Sequence, residues 1–68
     1  MISVIATVEL QPGRRVDFLR EFHQIVPLVR GEAGCVEYYP AVDTVTDIAV
    51  QPPLRPDTVV VIEKWENL

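Results

Sequence analysis

Sixty-eight residues allow one small domain, 1–68, and a chain of this size buries only about 60% of the surface its unfolded form exposes. Cys35 is the only cysteine, so an internal disulfide is excluded, and with a single histidine the soft ligands for a structural zinc site are missing. A net charge of −4 argues against nucleic acid or an anionic membrane surface as partner. No apolar run approaches the ~20 residues that span a bilayer.

The chain is nevertheless 49% hydrophobic. Spread over a lone monomer of this size, those side chains would leave an exposed apolar patch. The composition therefore predicts a homo-oligomer, a dimer or higher. The N-terminus has neither the basic flank nor the cleavage site of a signal peptide, so the expected location is the cytoplasm.

Residues 2–10 alternate, with Ile2, Val4, Ala6, Val8 and Leu10 on one face and Ser3, Ile5, Thr7 and Glu9 on the other. Period two with β-branched enrichment predicts a strand, and Gln11-Pro12-Gly13 ends it in a turn. From Arg14 to Arg30 the period becomes helical. Val16, Leu19, Phe22, Val26 and Val29 form the stripe, which Phe18 and Ile25 widen. Pro27 within it predicts a kink or break just before that residue, with a short helical piece following to Gly31.

Residues 35–42 read as a second strand, placed at an edge by Pro40. Residues 43–56, with Pro52, Pro53 and Pro56, form a long loop or extended arm, which at this length is functional or interfacial more often than idle. Residues 57–66 are the strongest strand. Both faces are apolar in its first half, which predicts a central strand covered on both sides. Asn67-Leu68 then suits a helix N-cap and first turn. The predicted order β-α-β-loop-β, followed by this helix cue, is that of a β-α-β-β-α-β ferredoxin-like α+β unit stopping after its third strand.

Several segments in order carry a resemblance: Ile-Val-Pro-Leu-Val-Arg at 25–30, Glu-Ala-Gly-Cys at 32–35, Tyr38, Pro40, Val42-Asp43, Gln51-Pro52-Pro53-Leu54, and Val-Val-Val-Ile-Glu-Lys-Trp-Glu at 59–66. Together these resemble the antibiotic-biosynthesis-monooxygenase family, most closely its quinol-monooxygenase branch, over essentially the whole chain. The resemblance implies a ferredoxin-like fold whose sheet packs on a partner's to give a dimeric α/β barrel. It also implies oxidation or oxygenation of a quinol or related aromatic polyphenol without metal or organic cofactor. Domains of that family continue through a second helix and a fourth strand, so this chain is expected to be an incomplete copy, lacking both at the C-terminus. A histidine usual on that second helix has no counterpart here.

Oxygenation without a cofactor requires a base, an apolar lining and a donor that holds the substrate anion. Trp65 matches the family's pocket-lining tryptophan; the competing role is a core aromatic with its indole N–H satisfied locally. Tyr38 matches a family tyrosine able to bind the substrate oxygen, against a role in core or interface packing. Tyr39 falls on the other face and suits interface packing. His23 is the one side chain of a type whose unperturbed pKa suits a base at neutral pH, but a histidine at a helix edge is ordinarily just half-exposed. Glu63 shares a face with Trp65 and would act through a raised pKa; a salt bridge with an arginine is the commoner fate. Arg55 in the arm would reach over a cavity and hold an anion, although loops often carry arginines for solvation alone. Cys35 reads as a small buried hydrophobe. The competing functions are a non-catalytic dimeric module binding a small aromatic ligand, and an inactive piece of a longer monooxygenase.

Overall fold

A computed structural model describes residues 1–67. Its order is β1 (Ile2–Glu9), α1 (Arg15–Arg30), β2 (Cys35–Ala41) and β3 (Thr58–Trp65). The sheet order is β1-β3-β2, with both outer strands antiparallel to β3. β1 and β2 therefore run parallel with β3 inserted between them, the split β-α-β arrangement of a ferredoxin-like fold. β3 is central and Pro40 lies on an edge strand, as the sequence predicts. No described helix is long and apolar enough to cross a membrane.

α1 covers one face of the sheet. Ile2 pairs with Trp65, Val4 with Glu63, Ala6 with Val61 and Val8 with Val59, so these side chains share that face. Phe22 and Val26 from α1 meet Val61 in the core, with Val8, Phe18 and Tyr38 packed around them. Each fully buried large side chain contributes roughly 1.5–3 kcal/mol, so a core this small leaves little margin.

The opposite face carries Ile5, Val60, Ile62 and Tyr39, paired Ile5 with Ile62 and Ile62 with Tyr39. Ile5 is 72% exposed, and Val60 and Ile62 are only half-buried. The expectation that β3 is covered on both sides thus holds for the helix side; on the other face Thr58 is the one buried β3 residue among the described residues.

Two local details differ from the sequence reading. α1 runs through Pro27 without a break. Pro27 sits in the last turn, where its missing N–H costs one intrahelical bond, to the His23 carbonyl. The helix end recovers a bond when the Gly31 N–H donates to the Pro27 carbonyl at 3.2 Å. Val16, expected in the apolar stripe, is exposed, as are Ile25 and Leu28; within the stripe Phe22 and Val26 are buried and Phe18 packs beside them. The cue for a further helix at Asn67-Leu68 falls partly on Leu68, which lies outside the described residues.

The second detail is a bulge. Cys35 pairs with Trp65 but Glu37 pairs with Lys64, so Val36 is an extra residue opposite one step of β3. Strict alternation from Cys35 would turn Tyr38 away from α1. The bulge reverses the parity and brings Tyr38 opposite Glu63, on the helix side.

Gly13 and Gly34 hold φ of 81° and 87°, which favour glycine. The Gly13 N–H donates to Asp57 Oδ1 at 3.0 Å, and the Leu10 N–H donates to the Asp57 carbonyl at 2.8 Å. One aspartate thereby ties the β1–α1 turn to the start of β3.

Candidate functional site

Three of the five candidate side chains come together on the helix side of the sheet. The β2–β3 register sets Tyr38 beside Glu63, and period two along β3 sets Glu63 on the same face as Trp65. The Trp65 indole Nε1–H donates to Glu63 Oε1 at 2.9 Å. Glu63 therefore takes an indole partner and, among the described residues, forms no ion pair with an arginine. Trp65 is buried and Glu63 and Tyr38 are half-buried.

Tyr38 also ends an aromatic stack. Phe18 and Phe22 have ring centroids 5.6 Å apart, and Phe22 and Tyr38 5.5 Å, with interplanar angles of 22° and 21°. Phe18 and Phe22 stand one helical turn apart on α1, spacing at which side chains meet. Burial, then the nearby carboxylates Glu63 and Glu32 and the Cys35 thiol, push the Tyr38 phenol above its ordinary pKa. At neutral pH Tyr38 is a protonated hydrogen-bond donor. Its backbone carbonyl accepts from Arg30 Nε at 3.0 Å, which fastens the end of α1 to β2.

The other two candidates lie elsewhere. His23 is exposed and lines an open groove of about 570 Å3 along the β2 edge, together with Leu19, Val26, Pro27 and Arg30 of α1. Arg55 Nε and Nη2 each donate to the Asp43 carboxylate at 2.9 Å, across the base of the arm. That bidentate pair holds Asp43 down to a pKa of about 2 and raises Arg55. Arg55 in this position closes the arm rather than reaching over a cavity. Cys35 is half-buried, with its Sγ 3.8 Å from the Glu37 carbonyl. Among the described residues no cluster of three or more His, Cys, Asp or Glu side chains is placed to hold a metal ion.

Residues 1–68 match the family model described as antibiotic biosynthesis monooxygenase. The chain belongs to that family. It is 40% identical over 70 aligned positions to "Probable quinol monooxygenase YgiN" of Escherichia coli K12, and equally to the proteins of that name from Escherichia coli O157:H7 and Shigella flexneri. These alignments take in the whole of this chain and 66% of each relative, so the chain spans just under two thirds of the length of the curated proteins it matches. The Phe18–Phe22–Tyr38 stack is the part of this candidate site that sequence reading did not single out. Its signal was present as two phenylalanines at i and i+4 on the face of α1 that meets the sheet.

Proposed function

We propose that this chain contributes to a cofactor-independent monooxygenase acting on a quinol or related aromatic polyphenol, with Tyr38, Glu63 and Trp65 at the substrate. The observation that carries the reading is their convergence on an apolar, aromatic-lined face, in a chain of this family.

The chemistry assigns each a role. A quinol must lose a proton before it can reduce dioxygen. In the overall reaction a quinol with a ring C–H and one dioxygen give a hydroxyquinone and one water, all electrons coming from the substrate. A carboxyl ordinarily titrates about six units below a phenol, an uphill transfer of roughly 8 kcal/mol. Glu63 can therefore accept the proton only if the anion left behind is stabilised in place. The Tyr38 hydroxyl, kept protonated by its surroundings, supplies that donor. Trp65 orients the Glu63 carboxylate through its indole N–H and offers a flat apolar wall. His23, the chain's one histidine, stands in a different groove and takes no part in this step.

The same reading pairs two copies through the open sheet face of Ile5, Val60, Ile62 and Tyr39. Light scattering at micromolar concentration tests this; a well-folded monomer would remove the pairing.

Oxygen consumption by metal-free protein with a reduced quinone tests the activity. Turnover above autoxidation, lowered by Tyr38→Phe and Glu63→Gln, is expected, and a rate equal to autoxidation sinks the enzymatic reading. A non-catalytic binding role is favoured by one feature: Trp65 and Glu63 already satisfy each other. Saturable quenching of Trp65 fluorescence by an aromatic ligand, without turnover, would select that alternative.

A further inference from the structure

The 43–56 arm is internally braced yet presents its apolar side chains outward. The Gln51 side chain donates to the Thr44 carbonyl at 2.6 Å and accepts from the Thr46 N–H at 3.1 Å and from the Thr46 hydroxyl. The Gln51 N–H donates to the Ile48 carbonyl at 3.1 Å, closing a turn at the tip. Arg55 and Asp43 clamp the base, and Arg15 Nη1 donates to the Arg55 carbonyl at 3.3 Å, linking the arm to α1. On this frame Val45, Ile48 and Val50 are 77%, 61% and 88% exposed. A preordered arm of this kind gives up less conformational entropy on binding than a loose loop would.

The groove along the β2 edge has the complementary character. Leu19, Val26, Pro27, Pro40 and Val42 supply its apolar lining, with the Tyr39 ring, and His23 and Arg30 its basic side chains; no carboxylate is among the residues that line it. In the arm, Asp43 is matched by Arg55, which leaves the exposed Asp47 as its unmatched charge; among the described residues Asp47 forms no ion pair. The charges left over on the two surfaces are thus opposite in sign. Val42 both lines the groove and leads into the arm, so each copy carries the two surfaces side by side. Adjacent complementary surfaces are what a reciprocal twofold exchange between identical chains needs.

We propose that the arm of one copy docks in the α1–β2 groove of a second copy, with Ile48 and its neighbouring valines against Leu19, Val26 and Pro27, and Asp47 toward Arg30 and His23. This contact adjoins the open sheet face at Tyr39, which lines the groove, but lies apart from the Tyr38–Glu63–Trp65 site and stands or falls independently of the proposed activity.

The test is photo-crosslinking from a benzoylphenylalanine placed at Ile48, in a mixture of unlabelled and 15N-labelled chains, with the joined peptides read by mass spectrometry. Expected are links of mixed isotope joining the arm to the α1 peptide or to Tyr39–Val42. Links within one chain, links into the sheet face around Ile5 and Ile62, or the absence of mixed-isotope links would each overturn the proposal. Arg30→Glu should lower the mixed-link yield about two- to fivefold, the scale of a solvent-exposed charge pair, and Asp47→Lys in the same chain should restore it. Yield indifferent to both changes would refute the charge pairing that sets the orientation.

Discussion

The two faces of the sheet share the same three strands and differ in what lies across them. On the helix side, Val59, Val61 and Trp65 are buried with Phe22 and Val26. On the other side, Val60 and Ile62, one residue along the same strand, are only half-buried and Ile5 is open to solvent. β3 has nearly the same composition on both sides, so burial here follows from the position of α1 and not from the strand's own hydrophobicity. Stability of the single chain is accordingly concentrated on one face, while the other holds apolar area that contributes only when covered.

The largest expected effect comes from removing the core of the stable face. Phe22→Ala takes away the ring that contacts both Phe18 and Tyr38 and should cost about 3–5 kcal/mol. For a chain of this size that approaches the whole folding free energy, and circular dichroism should show a mostly unfolded protein. Next is a matched pair across the sheet. Val59→Thr buries a hydroxyl without a ready partner and should cost about 1–3 kcal/mol. Ile5→Thr on the open face should stay within about 0.5 kcal/mol for the monomer. Urea midpoints of the two variants at low concentration measure the contrast, and equal losses would mean that both faces are covered in solution.

Trp65→Phe removes the indole N–H and some packing while keeping an aromatic wall, and should cost about 1–2 kcal/mol in a urea titration. It should also slow any quinol turnover. A smaller signal sits in the Tyr38 phenol. Its pKa is raised in the folded chain, so this linkage favours the fold below the ordinary tyrosine value near 10 and is lost as pH rises through the higher, folded value. The difference in ultraviolet absorbance between the parent chain and Tyr38→Phe should show the phenol ionising later than a free tyrosine. The smallest effect on stability belongs to the arm. Asp43→Asn should leave the unfolding midpoint nearly unchanged and speed elastase cleavage at the arm's valines. Because the Asp43 pKa is depressed to about 2, the pair persists above the ordinary carboxylate range and loosens only as pH falls through about 2.

The strands were legible because β-branched alternation is a local signal, and β3 read as central because both its faces are apolar. Membership of the Tyr38–Glu63–Trp65 set was partly legible too, since Glu63 and Trp65 are two residues apart on one strand. The bulge at Val36, which turns Tyr38 to the helix side, left no mark in the sequence; the strand there looks regular. The unbroken helix through Pro27 depends on how near the residue lies to the helix end, a boundary that apolar spacing does not define. The hydrogen bond that Glu63 accepts from Trp65 and the Arg55–Asp43 clamp were hidden for a different reason. Each charged group had several partners within reach of the chain, and only the folded register chooses among them.

The pairing of Ile2 with Trp65 puts the first strand's beginning next to the last strand's end. A group attached at Met1 would therefore sit beside the strand that carries Trp65. A quencher attached to the Met1 amine would make Trp65 emission a direct gauge of whether the two outermost ends of the sheet stay zipped.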